Sequence, residues 1–512
     1  MGDDEATGTR RTMLEEGIHN VGADMTASPP SRRAVLGGLG VTFAARPLLA
    51  RTSSGPTLLR AAAMRADVAL LRRAYAALHP GLHRYNTPRE IDARFDALDR
   101  SVAAPMTLRA FYLSLSRFLA TVRCGHSYAN FYNQRRAVAA ALFEAPDRLP
   151  LDFLWIGDAM VVTADPFATG IAPGSCILAV NGRSASAILA ALMPLARADG
   201  HNDDKRRRLL SVQGDDRYET FDIFFSMLFG QDRYQLTVED PDGRRRAASV
   251  AGVSLAQRRA TAHAGVDASG DTPVWTIERR GDAALLSMPN WGLYDSKWDW
   301  RGWLDEAVDR LVAERVPRLV VDLRANEGGL DCGNALAERL VRRETPFEEV
   351  QRLIRYRTVP DDLRPALDTW DRSFDHLGEN ATRIDDRFLQ LDAPGDRVDP
   401  IKPHGRRYAG DVRVLIGPQN SSATFQFADF VRRNRLATLI GETTGGNRRG
   451  INGGCFYFVR LPETGLEADL PLIGRFPTTP QPDQGVTPDI AVPVTRTDIA
   501  KGTDSQLGRA LA

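Results

Sequence analysis

Apolar positions along this chain fall into three successive patterns. In LLRAAAMRADVALLRRAYAAL, residues 58–78, they recur every three or four residues and so share one face of a helix. The Pro80-Gly81 turn ends that run. TPREIDARFDAL then resumes it, with Thr87 ahead of Pro88 and Glu90 three residues on, the pattern of a capped helix start. A third helix is predicted over LRAFYLSLSRFLATV, leading straight into Arg123-Cys124-Gly125-His126-Ser127. This helical region is placed at 57–140. Over 149–253 the pattern becomes strand-like: LPLDFLWIGDAMVVTA predicts two strands about a Gly-Asp turn, and GSCILAVNGRSASAILAALMPLA a strand, an Asn-Gly turn and a helix. Over 272–498 strands and helices alternate. AALLSMPNW, PRLVVDLR, VRVLIG and ATLIGETT are predicted strands, WLDEAVDRLVAE, CGNALAERLVRR and SATFQFADFVRRN helices, and FYFVRLPETGLEADLPL a hairpin. That alternation predicts an α/β core with a mostly parallel sheet covered by helices.

The 149–253 stretch, closing with YQLTVEDPDGRRRAASV, resembles a PDZ-like module, a fold that binds extended peptide by strand addition. The predicted architecture is therefore an α/β catalytic core preceded by an N-terminal helical domain and a PDZ-like β-rich module. The charge run DDKRRRLL at 203–210 reads as a solvated insertion in that module.

Length and composition narrow the functional classes. A chain of 512 residues, 43% hydrophobic and 26% charged, is ordinary globular material for two to four domains. A net charge of +1 supplies no field to attract nucleic acid or an anionic membrane. Cys124, Cys176, Cys332 and Cys455 form no CxxC motif, which argues against a zinc ribbon; they allow three disulfide pairings, or none. No GxSxG, HExxH or P-loop is present.

The amino terminus carries an address. In SRRAVLGGLGVTFAA, residues 31–45, Arg32 and Arg33 precede a weakly apolar run that falls short of the roughly 20 residues a bilayer span needs. It resembles a twin-arginine export signal within a leader at 1–50, which places the mature protein in the periplasm or outside the cell. Met25 is an alternative start, and Ala50 a candidate cleavage point.

Three short segments stand just past the carboxyl ends of predicted strands, where an α/β fold places its chemistry. They are Asp322-Leu323-Arg324-Ala325-Asn326-Glu327-Gly328-Gly329, then Asn420-Ser421-Ser422-Ala423, then Gly441-Glu442-Thr443-Thr444-Gly445-Gly446. Singly each is also what a turn or a helix cap looks like. In this order, and followed by Gly485-Val486-Thr487-Pro488-Asp489-Ile490, they resemble the core of the C-terminal-processing and tricorn-type serine peptidases.

The resemblance implies a peptidase that uses no metal or cofactor and acts on peptides or unfolded protein. It implies Ser422 as nucleophile, with an oxyanion hole from the Ala423 amide and from the Gly328-Gly329 turn. One branch of the family uses a lysine about 25 residues past the serine. Here that region reads GGNRRG, with no lysine between Lys402 and Lys501, and arginine holds its proton too tightly to serve as base. The tricorn-like branch uses a histidine from the helical region instead, which His126 matches; its imidazole suits proton exchange near neutrality. His79 and His83 rank behind it. For the acid that orients His126, Asp483 stands nearest the expected place, with Glu442 as rival. The same scaffold used to hold a peptide or apolar ligand without cleaving it is the alternative function.

Overall fold

The computed structural model describes residues 57–263, 268, 270–347, 350–393 and 398–512. The leader and its paired arginines lie outside the described residues.

Three helices open the described chain: Ala61–Leu78, Pro88–Ser101 and Leu108–Val122. The second starts as its sequence dictates, because the Thr87 hydroxyl accepts from the Glu90 amide and the Glu90 carboxylate accepts from the Thr87 amide. The third stops at Arg123, whose φ of 59° breaks the helical path and throws the next residues into a turn. Strands Asp152–Ile156, Ala159–Ala164, Cys176–Val180, Arg233–Glu239 and Arg245–Ala251 then form an antiparallel sheet in that order. Asn181 and Gly182, with φ of 49° and 76°, make the expected tight turn.

The next sheet runs in the order Ile490–Ala491, Thr438–Gly441, Asp411–Ile416, Arg318–Asp322, Ala283–Ser287, Thr276–Arg280. All neighbours are parallel except the last pair. Leu319, Val321, Val414, Ile416 and Leu439 face helices Trp300–Ala313 and Ser422–Arg433, while Leu285, Val320, Leu415 and Ile440 face Ala510 of the terminal helix. Cover on both faces is why these strands read as continuous apolar runs.

The core differs from the predicted one in holding a second sheet, antiparallel throughout. Its order is Leu367–Asp368, Asn452–Arg460, Glu467–Pro477, Val350–Ile354, Leu389–Gln390, Thr382–Arg383. Three of its strands are two residues long and lie in the polar stretch 359–404, too short to leave a period-two pattern. The predicted hairpin at 456–472 is real but longer. One apolar cluster joins the opening helices, the 149–253 sheet and this antiparallel sheet, so those regions share a core across the predicted boundaries. Asp67, buried in the first helix, shows the join: its carboxylate accepts the Glu463 and Thr464 amides and the Thr464 hydroxyl at 2.6 to 3.1 Å.

The charge run at 203–210 also departs from expectation. It forms helix Asp203–Leu209, which buries Lys205 and Arg206 rather than offering them to solvent. Asn202 caps this helix by accepting the Lys205 amide at 3.1 Å and reaches across to the carbonyls of Thr444 and Gly446.

Candidate active site

Ser422 stands at the junction between strand Asp411–Ile416 and helix Ser422–Arg433, with a φ of 50°. A left-handed serine costs of order 1–3 kcal/mol, so the surrounding structure must impose it. Asn420 does so. Fully buried, it accepts the Gly417 amide at 2.8 Å, donates to the carbonyls of Leu323 and Asn326, and receives the Gly445 and Gly446 amides on its own carbonyl at 2.7 and 3.0 Å. One side chain and one carbonyl thereby lock together all three segments singled out in the sequence. Ser421 is extended instead, and its hydroxyl donates to the Glu327 carbonyl at 3.1 Å.

The Gly328-Gly329 turn packs directly on the nucleophile. Gly328 has a φ of 119°, and a Cβ built on it would lie 2.9 Å from the Ser422 Cβ and 3.2 Å from the Ala423 nitrogen. Only glycine permits that approach. The Gly328 amide is not available to substrate, since it donates to Asn326 Oδ1 at 2.8 Å. The Gly329 and Ala423 amides have no hydrogen-bond partner among the described residues, so of the two turn glycines the geometry leaves Gly329 as the donor.

His126 enters the same cleft from the turn after helix Leu108–Val122. Its ring lies 5.8 Å from that of Phe456 and faces Gly453, in a bulge of strand Asn452–Arg460. Bulges beside active sites commonly re-aim the chain in this way. His126 Nδ1 is buried without a hydrogen-bond partner. Burial pushes the imidazole below its ordinary value, partly opposed by the negative charge of Asp199. Asp199 also accepts the Gly125 amide at 2.9 Å, which fixes the turn. The cleft that holds His126, Ser422, Ala423, Gly328, Gly329 and Lys205 has a volume of about 720 Å³.

Neither predicted orienting acid reaches His126. Asp483 accepts the His201 amide at 3.1 Å and Asn447 Nδ2 at 2.7 Å, and pairs with His201 Nδ1 at 2.6 Å. Those donors occupy both carboxylate oxygens and hold its pKa below the usual range despite burial. Glu442 faces Gln506 of the terminal helix and is raised by burial. Asp483→Asn is therefore expected to leave kcat within about fivefold of the parent, because an uncoupled residue lacks transition-state leverage; steady-state kinetics on folded protein checks this. His79 is a core residue: its Nδ1 accepts the Gly81 amide at 3.1 Å, its Nε2 donates to Ser127 Oγ at 2.9 Å, and burial lowers it to about 3. It braces the histidine turn from behind, while His83 is half-buried and lowered by burial. Among the described residues no disulfide forms, and all four cysteines are buried.

Sequence reading also missed Lys205. Only 2% exposed, its ammonium donates to the Gln419 carbonyl at 2.9 Å and lies 2.9 Å from Glu327 Oε1. Its position in a charge run concealed it. The signal that could have found it was Asn202 ahead of Asp203 and Asp204, a helix start that rules out a disordered insertion. Among the described residues no group of ligands suits a metal ion, and no helix is long and apolar enough to cross a membrane.

Residues 282–492 match the family model described as Peptidase family S41. No curated protein matches the chain. The fold is similar to that of mature CPAF complexed with lactacystin, at 16% identity and a TM-score of 0.60, covering 86% of this chain and 95% of that one. A further CPAF crystal structure, of a mutant, gives 17% identity, a TM-score of 0.62 and coverage of 86% and 94%. The photosystem II D1 C-terminal processing protease covers 87% of this chain and 98% of its own at 14% identity, with a TM-score of 0.40.

Proposed function

Because residues 282–492 match the model of Peptidase family S41, we propose that the chain is a serine-type peptidase of the C-terminal-processing and tricorn type, cleaving peptides or unfolded protein by acyl transfer through Ser422, with His126 as general base. The observation that carries this reading is the strained Ser422 turn, packed on Gly328 and opening into the cleft that also holds His126. In the first step His126 takes the Ser422 proton as Oγ attacks the scissile carbonyl. The amides of Gly329 and Ala423 receive the oxyanion, each such donor typically supplying about 2.7–4 kcal/mol. The imidazolium then protonates the leaving amine, and water repeats the sequence on the acyl-enzyme. The negative charge of Asp199 favours that imidazolium. A fluorophosphonate probe tests the proposal: labelling confined to Ser422 supports it, and hydrolysis without any labelling of Ser422 contradicts it.

The partnerless His126 Nδ1 favours one rival, a protein that holds a peptide or apolar ligand on this scaffold without cleaving it. Turnover of peptide by the parent chain excludes that rival. The 149–253 sheet, read as PDZ-like, would in either case hold an extended segment at its edge.

Export through the twin-arginine route belongs to the same proposal. Replacing Arg32 and Arg33 with lysine is expected to leave precursor in the cytoplasm. Unchanged periplasmic yield after cell fractionation would count against that route.

A further inference from the structure

A continuous ionic chain runs from the turn that carries His126 to the turn that carries Ser422. The Gly125 carbonyl accepts from Arg197 Nη1 at 2.9 Å, and the same nitrogen lies 2.9 Å from Glu327 Oε1. Lys205 Nζ lies 2.9 Å from that oxygen and donates to the Gln419 carbonyl at 2.9 Å. Gly125 immediately precedes His126, Gln419 stands three residues before Ser422, and Glu327 immediately precedes the Gly328-Gly329 turn. Every turn of the proposed mechanism is thus gripped by one member of the chain.

The electrostatics match the geometry. Burial lowers Lys205 to about 8, with Glu327 opposing the fall, so the ammonium form prevails at neutral pH. Despite its own burial, Glu327 is held well below the ordinary carboxylate range by Arg197 and Lys205. The Lys205 ammonium is thus directed at the Gln419 carbonyl and the Glu327 carboxylate. A buried ionic chain adds little net stability over an apolar replacement, and its best-attested use is to specify one arrangement.

We infer that Arg197, Glu327 and Lys205 are positioning residues that set the histidine, oxyanion and nucleophile turns in register. The inference rests on the Ser422–His126 reading above. A displacement of about 1 Å between reacting groups costs roughly 100-fold in rate, which sets the scale of the effect.

The test compares full-length Arg197→Met, Lys205→Met, their double variant and Glu327→Gln with the parent, using kcat, KM and the pH profile on one peptide substrate. Each single methionine variant is expected to lose roughly 10- to 100-fold in kcat with KM within about threefold. The double variant should be no worse than the poorer single, because either cut opens the same chain. The charge of Asp199 raises His126, as does Glu327, while Arg197 and Lys205 lower it. The acid limb should move to higher pH without Arg197 or Lys205, and to lower pH in Glu327→Gln; the loss of kcat at little-changed KM, read on the plateau above that limb, separates mispositioning from this change of charge. Parent-like kcat in both singles, or losses that multiply in the double, overturns the inference. Should the methionine variants fail to fold, isosteric Glu327→Gln decides alone, and an unmoved acid limb with parent-like kcat overturns it. A parent chain that neither cleaves peptide nor takes the fluorophosphonate on Ser422 removes the peptidase reading itself, a failure visible before any variant is made.

Discussion

Ser422→Ala is expected to keep the fold and lose at least about 10,000-fold in kcat, roughly 5.4 kcal/mol of transition-state stabilisation. The Ser422 hydroxyl has no hydrogen-bond partner among the described residues, so its removal leaves no orphaned group. Alanine accepts the same φ of 50° at a similar cost, so stability should change by less than about 1 kcal/mol. Ser421→Ala is the control. Its hydroxyl braces the Glu327 carbonyl and stands on extended backbone, and the variant should stay within about tenfold of the parent. Peptide turnover alongside thermal unfolding checks both. Equal losses from the two changes would leave no distinction between nucleophile and neighbour.

His126→Ala is expected to lower kcat by about 1,000-fold or more, with KM little changed. The pH profile adds a signed expectation. A general base must be neutral, so activity falls as pH drops through the His126 pKa. Burial holds that pKa below its ordinary 6.5, and the acid limb should accordingly lie below 6.5. The limb should vanish in His126→Ala. A fully active variant would place the base elsewhere; His79 is a poor substitute, being buried and committed through both ring nitrogens.

The order of strands past Leu319, and the three segments at their ends, were legible because parallel strands covered on both faces read as unbroken apolar runs. The strand-helix turn that holds Ser421 and Ser422 was legible for the same reason, whereas the choice of Ser422 rested on the resemblance, since either serine alone reads as a helix cap. The antiparallel sheet was not, because Leu367–Asp368, Thr382–Arg383 and Leu389–Gln390 are too short to carry a period. Lys205 was hidden by composition: a charge run is ordinarily solvated, yet here one lysine turns inward to a carboxylate 122 positions later in the chain, a pairing no local pattern records. Asp483 failed as the orienting acid for a related reason. Sequence order placed it near the expected position, but His201, two residues ahead of that misread run, takes its carboxylate. Asn420 and Asn326 escaped notice because an asparagine in a turn looks the same whether it caps itself or ties three loops together.

The central claim is that a strained Ser422, activated by His126, forms a covalent acyl-enzyme. Intact-mass and peptide mapping after fluorophosphonate treatment tests it most directly. The account predicts one adduct per chain, on the peptide bearing Ser422, absent in Ser422→Ala, retained in Ser421→Ala and slowed at least about 100-fold in His126→Ala. An adduct on another residue, or full labelling speed without His126, would contradict it.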